Sequence, residues 1–210
     1  MPRTDRLHRK RPRREPYPRF LIVCEGEKTE PGYFQHLRHT ARLPVRLEIV
    51  PGGTPKTLVE KAVRERREAE RLARRKKDPW QRFDEVWCVF DIDEHPFVPE
   101  TKQQARDNSI RLAISNPCFE LWVLLHFQDQ RGELSRHSAQ SLCRQHLPGY
   151  QKDLPCDELT PRRPDAIRRA VDLEAWQQTR GCEGGNPSTQ VHHLVERLLA
   201  VRRESAPSEH

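Results

Sequence analysis

The sequence has no stretch approaching the roughly 18 consecutive apolar residues that a membrane span requires. Its longest apolar run, Phe119 to Phe127, is broken by Glu120 and His126. The opening residues, MPRTDRLHRKRPRRE, lack the apolar segment of a secretory signal, so the expected compartment is the cytoplasm. The six cysteines, at positions 24, 88, 118, 143, 156 and 182, form no CxxC or Cys/His pattern. They are expected to be reduced, and several to be core residues. GxxxxGK[ST] is absent, so any ATP dependence has to come from another chain. There is no internal repeat.

What is present suits one modest domain with appendages: 210 residues, 34% hydrophobic and 33% charged. The net charge of +7 is unevenly spread. Residues 1–19 carry a net +6, with Arg9, Lys10, Arg11, Arg13 and Arg14 at their centre, which leaves the body nearly neutral. A basic, Pro-rich arm on a neutral body is suited to a polyanion such as nucleic acid, with strong salt dependence through counterion release. A merely solubilising terminus would have the same composition.

Along the chain, RFLIVC (Arg19–Cys24) reads as a buried strand. Thr29 is placed to cap a helix with Tyr33, Phe34 and Leu37 on its apolar face. Val45–Val50 alternates as a second strand, and Thr54-Pro55 opens a long helix to about Lys77. EVWCVF (Glu85–Phe90) is a third strand running into Asp91-Ile92-Asp93. A helix over Glu100–Asp107, a strand over Ile110–Ile114 and an apolar helix from Cys118, started by Asn116-Pro117, complete the unit. This order predicts an α/β fold with a mainly parallel four-stranded sheet flanked by helices. The expected organisation is a basic disordered arm (1–18), an α/β core (19–127), a helical C-terminal third packed on it (128–203) and a disordered tail (204–210). In that last third no strand is expected, and Asn186-Pro187 is read as another helix start.

Acidic residues stand where buried strands end. Glu25 follows the first strand, and Asp91 and Asp93 follow the third. Ligands of open parallel sheets collect at this carboxyl edge. If the first and third strands are neighbours, these carboxylates converge, and their repulsion calls for a cation. Oxygen donors without a His/Cys cluster favour Mg²⁺ or Mn²⁺ over zinc. A turn or helix cap would place Asp91 and Asp93 equally well. Glu120, alone in an apolar helix, has to be paired, exposed at the first turn or bound to metal. Glu30 and Lys28 are secondary candidates, the lysine for phosphate charge, and His95 is a candidate proton shuttle that also fits an ordinary loop. His192-His193 point two ways from a helix and are not expected to ligate one ion together. His36 and His39 share a helix face without a third ligand. On the long helix, Arg64, Arg67, Arg71, Arg74 and Arg75 are candidate phosphate contacts.

Strand-Glu-Gly followed by strand-Asp-x-Asp resembles the TOPRIM fold of topoisomerases, primases and overcoming-lysogenization-defect (OLD) nucleases. FLIVCEGEKTEPGYF, VFDIDEH, LAISNPCFELWVLLHF and NPSTQVHHLVERL together resemble the RloB family, linked to restriction and abortive-infection loci. The resemblance covers nearly all of the chain after the arm. It implies a TOPRIM-like fold and a Mg²⁺- or Mn²⁺-dependent nuclease acting on RNA or DNA in anti-phage defence, beside an ATPase partner. On it, Glu25 is a metal ligand or general acid/base, Asp91 and Asp93 the metal-binding pair, and Glu120 a later acidic ligand. No clear counterpart of the OLD-type lysine is found; Lys28 and Lys102 are the nearest.

Two other classes compete. A non-catalytic sensor or adaptor would keep the fold and bind nucleic acid or a partner protein. A dehalogenase-type phosphatase is disfavoured, because His95 stands where that motif wants Thr or Val and the strand is the third rather than the first.

Overall fold

The computed structural model describes residues 17–92, 98–150 and 153–204. The elements run β1 (Arg19–Cys24), α1 (Thr29–Thr40), β2 (Arg46–Pro51), α2 (Pro55–Lys76), β3 (Glu85–Asp91), α3 (Val98–Asp107), β4 (Arg111–Asn116) and α4 (Glu120–Leu125). They continue with α5 (Arg136–His146), α6 (Cys156–Leu159), α7 (Arg163–Thr179), β5 (Ser188–Thr189) and α8 (Val191–Glu204).

β1 and β3 read as unbroken apolar runs because helices cover both faces of the sheet. Side chains alternate across a strand. Phe20, Ile22, Cys24, Trp87 and Val89 therefore join one cluster, under α1, α4, α5, α7 and α8. Leu21, Val23, Val86, Cys88 and Phe90 join the other, under α2 and α3. The sheet order is β2-β1-β3-β4-β5, with β1 to β4 parallel. β1 and β3 are thus neighbours, and the layout is TOPRIM-like with a helical C-terminal region. All six cysteines are free and five are buried. Among the described residues, no helix is long and apolar enough to cross a membrane.

Three local expectations change. Thr29 is the first residue of α1 rather than its cap, which is Lys28. Asn116 ends β4 and gives its side-chain amide to the Gly184 carbonyl (3.0 Å), so α4 starts only at Glu120. The last third does contain a strand: β5 pairs antiparallel with β4 through Ser115↔Thr189 and Asn116↔Ser188. Asn186 cannot cap a helix because its amide is committed to the backbone of Leu134, accepting from its N–H (3.0 Å) and donating to its carbonyl (2.7 Å). α8 begins five residues later, at Val191.

At the heart of the larger cluster, His126 follows α4. Its Nδ1 donates to the Trp122 carbonyl (2.9 Å), and its ring meets the Trp122 ring edge-on at 4.9 Å. Burial pushes it down to about 4, with the Arg163 and Arg169 charges adding to that and its backbone contacts opposing. The unfolded chain takes this proton near the ordinary value of about 6.5, the folded chain only near about 4. The unfolded state therefore binds more protons between those values. The contribution is complete above that window and falls by on the order of 3 kcal/mol as pH drops through it. Urea melts of wild type and His126→Phe at pH 7 and pH about 4.5 should show the wild type losing more stability on acidification. Equal losses would remove His126 as the cause.

Candidate active site at the carboxyl edge

The parallel strands deliver their last residues to one edge. The ladder runs one step past β1, where the Glu25 N–H donates to the Val89 carbonyl (2.9 Å). The Glu25 carboxylate then folds across to the next strand and accepts from the Asp91 N–H (3.0 Å). Asp91 is the last residue of β3 and is buried. Glu30 enters from the first turn of α1, where the helix dipole favours a carboxylate. Its Oε1 accepts from the Gly26 N–H (3.3 Å). Glu120 enters from the first turn of α4, bonded by Gln140 Nε2 and the Tyr150 hydroxyl, both at 3.2 Å.

These four carboxylates line one cavity of about 490 Å³, together with Lys28 and Arg136. The Arg136 guanidinium lies 3.0 Å from Asp91 Oδ2. Burial pushes Asp91 well above the ordinary carboxylate range; the charge of Glu30 adds to it, Arg136 opposes it, and Glu25 and Glu120 add a little more. Burial also pushes Glu30 up, against bonds from its own amide and that of Gly26, with Glu120 and Glu25 contributing. The pocket thus holds desolvated acidic groups whose mutual repulsion a cation would relieve. An all-oxygen donor set fits Mg²⁺ or Mn²⁺. Asp91 and Glu25 at the strand ends and Glu120 on the same cavity supply such donors. Among the described residues, no three of the cavity's carboxylates lie within 4.8 Å of one another, so they would have to draw together to hold one ion.

The structure therefore brings Glu25, Lys28, Glu30, Asp91 and Glu120 together. Asp93 and His95 lie outside the described residues, as do Arg9, Lys10, Arg11, Arg13 and Arg14. Arg67, Arg71 and Arg74 are exposed on α2 and do not line the cavity. α2 starts at the carboxyl edge and runs back along the sheet, so at about 1.5 Å per residue Arg71 is carried roughly 24 Å away. Arg136, Gln140 and Tyr150 were not legible as site residues. Only Arg136 left a trace. It opens α5 directly after the Ser135 cap, where the helix dipole disfavours a cation unless a partner such as Asp91 holds it.

At Gly26 the backbone passes so near this cluster that a Cβ there would overlap the Glu30 carboxylate. Gly26→Ala is expected to swing Glu30 away and break its bond to residue 26. Stability should change by no more than about 1 kcal/mol, because only a side-chain end has to move. Misplacing one group by an ångström costs activity up to roughly 100-fold. A thermal melt beside a cleavage rate measures both; full activity in the variant would show that the position of Glu30 is immaterial.

A second cluster was read wrongly from sequence. Among the described residues, three ligating groups come within 4.8 Å of one another only at Glu174, His192 and His193. Adjacent helix residues diverge by about 100° on an ideal helix. Here the pair lies in the first turn of α8, and α7 inserts Glu174 against it, so that the two rings reach the two oxygens of one carboxylate. The chain thus holds a Glu/His cluster able to ligate a divalent metal.

A family model described as RloB-like protein matches residues 20–198. No curated protein and no solved structure gave a match.

Proposed function

The chain belongs to the RloB-like family, and from that premise we propose that it is a Mg²⁺- or Mn²⁺-dependent nuclease that hydrolyses phosphodiester bonds of RNA or DNA. The observation that carries this reading is the convergence of Glu25, Glu30, Asp91 and Glu120 on one cavity at the carboxyl edge between β1 and β3. Asp91 and Glu25 would serve as principal ligands, joined by Glu120 and by Asp93, two residues beyond Asp91 in the sequence. A bound divalent ion supplies positive charge to a phosphate oxygen and acidifies a water. Glu30 is suited to proton transfer, because burial holds its carboxyl nearer neutrality than an exposed glutamate's. Lys28 and Arg136, on the cavity wall, offset charge on the transferring phosphoryl group. Arg136 also occupies Asp91 and must yield when a cation enters. The basic arm, with Arg9, Lys10, Arg11, Arg13 and Arg14, and the arginines of α2 hold more distant phosphates. The role is in anti-phage defence or abortive infection, with an ATPase partner encoded nearby; the family resemblance supports this part.

A second reading is a nucleic-acid- or partner-binding sensor without catalysis. It is favoured by the protein donors that already hold the carboxylates: Arg136 on Asp91, Gln140 and Tyr150 on Glu120.

The test is a cleavage assay on tRNA, single-stranded RNA, single-stranded DNA and plasmid DNA with Mg²⁺, Mn²⁺ or chelator, alone and with any ATPase encoded beside it. Metal-dependent cutting of one class is expected. Tight binding without cutting, even with the ATPase, would establish the sensor reading instead.

A further inference from the structure

The histidine pair that opens α8 is not used by the acidic cavity, and none of Glu174, His192 and His193 lines it. His192 Nε2 lies 3.3 Å from Glu174 Oε2, and His193 Nε2 lies 3.1 Å from Glu174 Oε1. Zinc bonds of about 2.0–2.1 Å at a tetrahedral angle separate two ligand atoms by about 3.3 Å, close to the spacing of each imidazole from the carboxylate oxygen it faces, and one ligating atom from each residue lies within 4.8 Å of the others. The His192 ring is fully buried, yet neither of its nitrogens has a hydrogen bond of good geometry. At 3.3 Å an aligned N–H would bond, so the carboxylate oxygen sits off the nitrogen's axis. Two ligands of one ion stand in that relation, because the ion takes the axis and the second ligand lies to its side. A buried imidazole without a hydrogen-bonding partner otherwise costs free energy.

We propose that Glu174, His192 and His193 form a zinc-class divalent metal site that clamps α7 to α8, independent of the acidic cavity. Two imidazole nitrogens and one carboxylate select zinc over magnesium, and three protein ligands leave a fourth position for water. His193 is about half exposed, which gives the ion a way in.

The full chain, stripped with chelator, is titrated with Zn²⁺ by calorimetry and with Co²⁺ by visible absorption. One tight site with the intense spectrum of four-coordinate cobalt is expected, separate from any binding in the acidic cavity. His193→Ala, at a half-exposed position, should fold normally and lose more than the roughly 10–100-fold in affinity that removing an outer-shell partner costs. Zn²⁺ should raise the melting temperature of wild type and leave that of His193→Ala unchanged. Asp91→Asn and Cys182→Ser should keep the tight site and its cobalt spectrum. Equal zinc binding by wild type and His193→Ala, or loss of it in Asp91→Asn or Cys182→Ser, would overturn the site. The nuclease reading would survive that outcome, since its assay depends on different residues.

Discussion

Asp91→Asn is expected to lower metal-dependent cleavage by at least about 100- to 1,000-fold, the range for losing one preorganised electrostatic group, without unfolding the protein. Asp91 stands where β3 ends, and its N–H is fixed to Glu25 while its carboxylate faces the cavity. Asparagine keeps the shape and removes the charge a divalent ion needs. Stability should hold or rise, because the lost charge is buried and repelled by Glu30, Glu25 and Glu120. Arg136 loses its partner, yet its side chain is 39% exposed and can turn to water. Cleavage rates and thermal melts with and without Mn²⁺ check both halves. Mn²⁺ should raise the melting temperature of wild type more than that of the variant. Cutting at the wild-type rate by a folded Asp91→Asn would place the chemistry elsewhere.

Trp122→Ala is expected to cost about 3–5 kcal/mol, the range for truncating a large aromatic in a packed core. Trp122 is fully buried in α4, with His126 edge-on at 4.9 Å and Tyr33 at 6.1 Å. Such a loss is a large part of a typical stability of about 5–15 kcal/mol. At about 2–4 °C per kcal/mol for a chain of this size, the melting temperature should fall by roughly 10 °C. α4 also carries Glu120, so activity should fall at temperatures where the fold begins to loosen and recover on cooling. Chemical denaturation gives the free energy directly. A loss below about 1 kcal/mol would mean that the core repacks around the gap.

Arg19–Cys24 and Glu85–Phe90 were legible because a strand covered on both faces must be apolar along most of its length. The carboxylates were legible for a related reason: an acid directly after such a run stands out, although a turn or helix cap accounts for one such acid alone. Glu25 and Asp91 announced an edge site in this way, and Glu120 stood out as a charge in an apolar helix. Their meeting depended on strand order, since a β1 separated from β3 would have placed Glu25 far from Asp91.

The partners of those acids gave weaker signals. Arg136, Gln140 and Tyr150 are ordinary polar residues in a polar stretch, and nothing in their spacing says that α5 folds back over α4. The strand β5 was hidden for the opposite reason. Two residues are too short for a periodicity, and Asn-Pro resembles a helix start until Leu134 is seen to occupy the asparagine. The histidine pair was misjudged because ideal helix geometry describes one helix alone, whereas Glu174 arrives from another.

By itself, then, the sequence determined the four parallel strands, most of the helices, the family and the acidic residues at the carboxyl edge. Each of these is written in short-range pattern: apolar period, flanking Gly and Pro, and charge where burial forbids it. Only the tertiary structure decided which side chains share a cavity, that the arginines of α2 stand away from it, and that Glu174 meets His192 and His193. Those facts rest on contacts between residues far apart in the chain, and local pattern does not encode them.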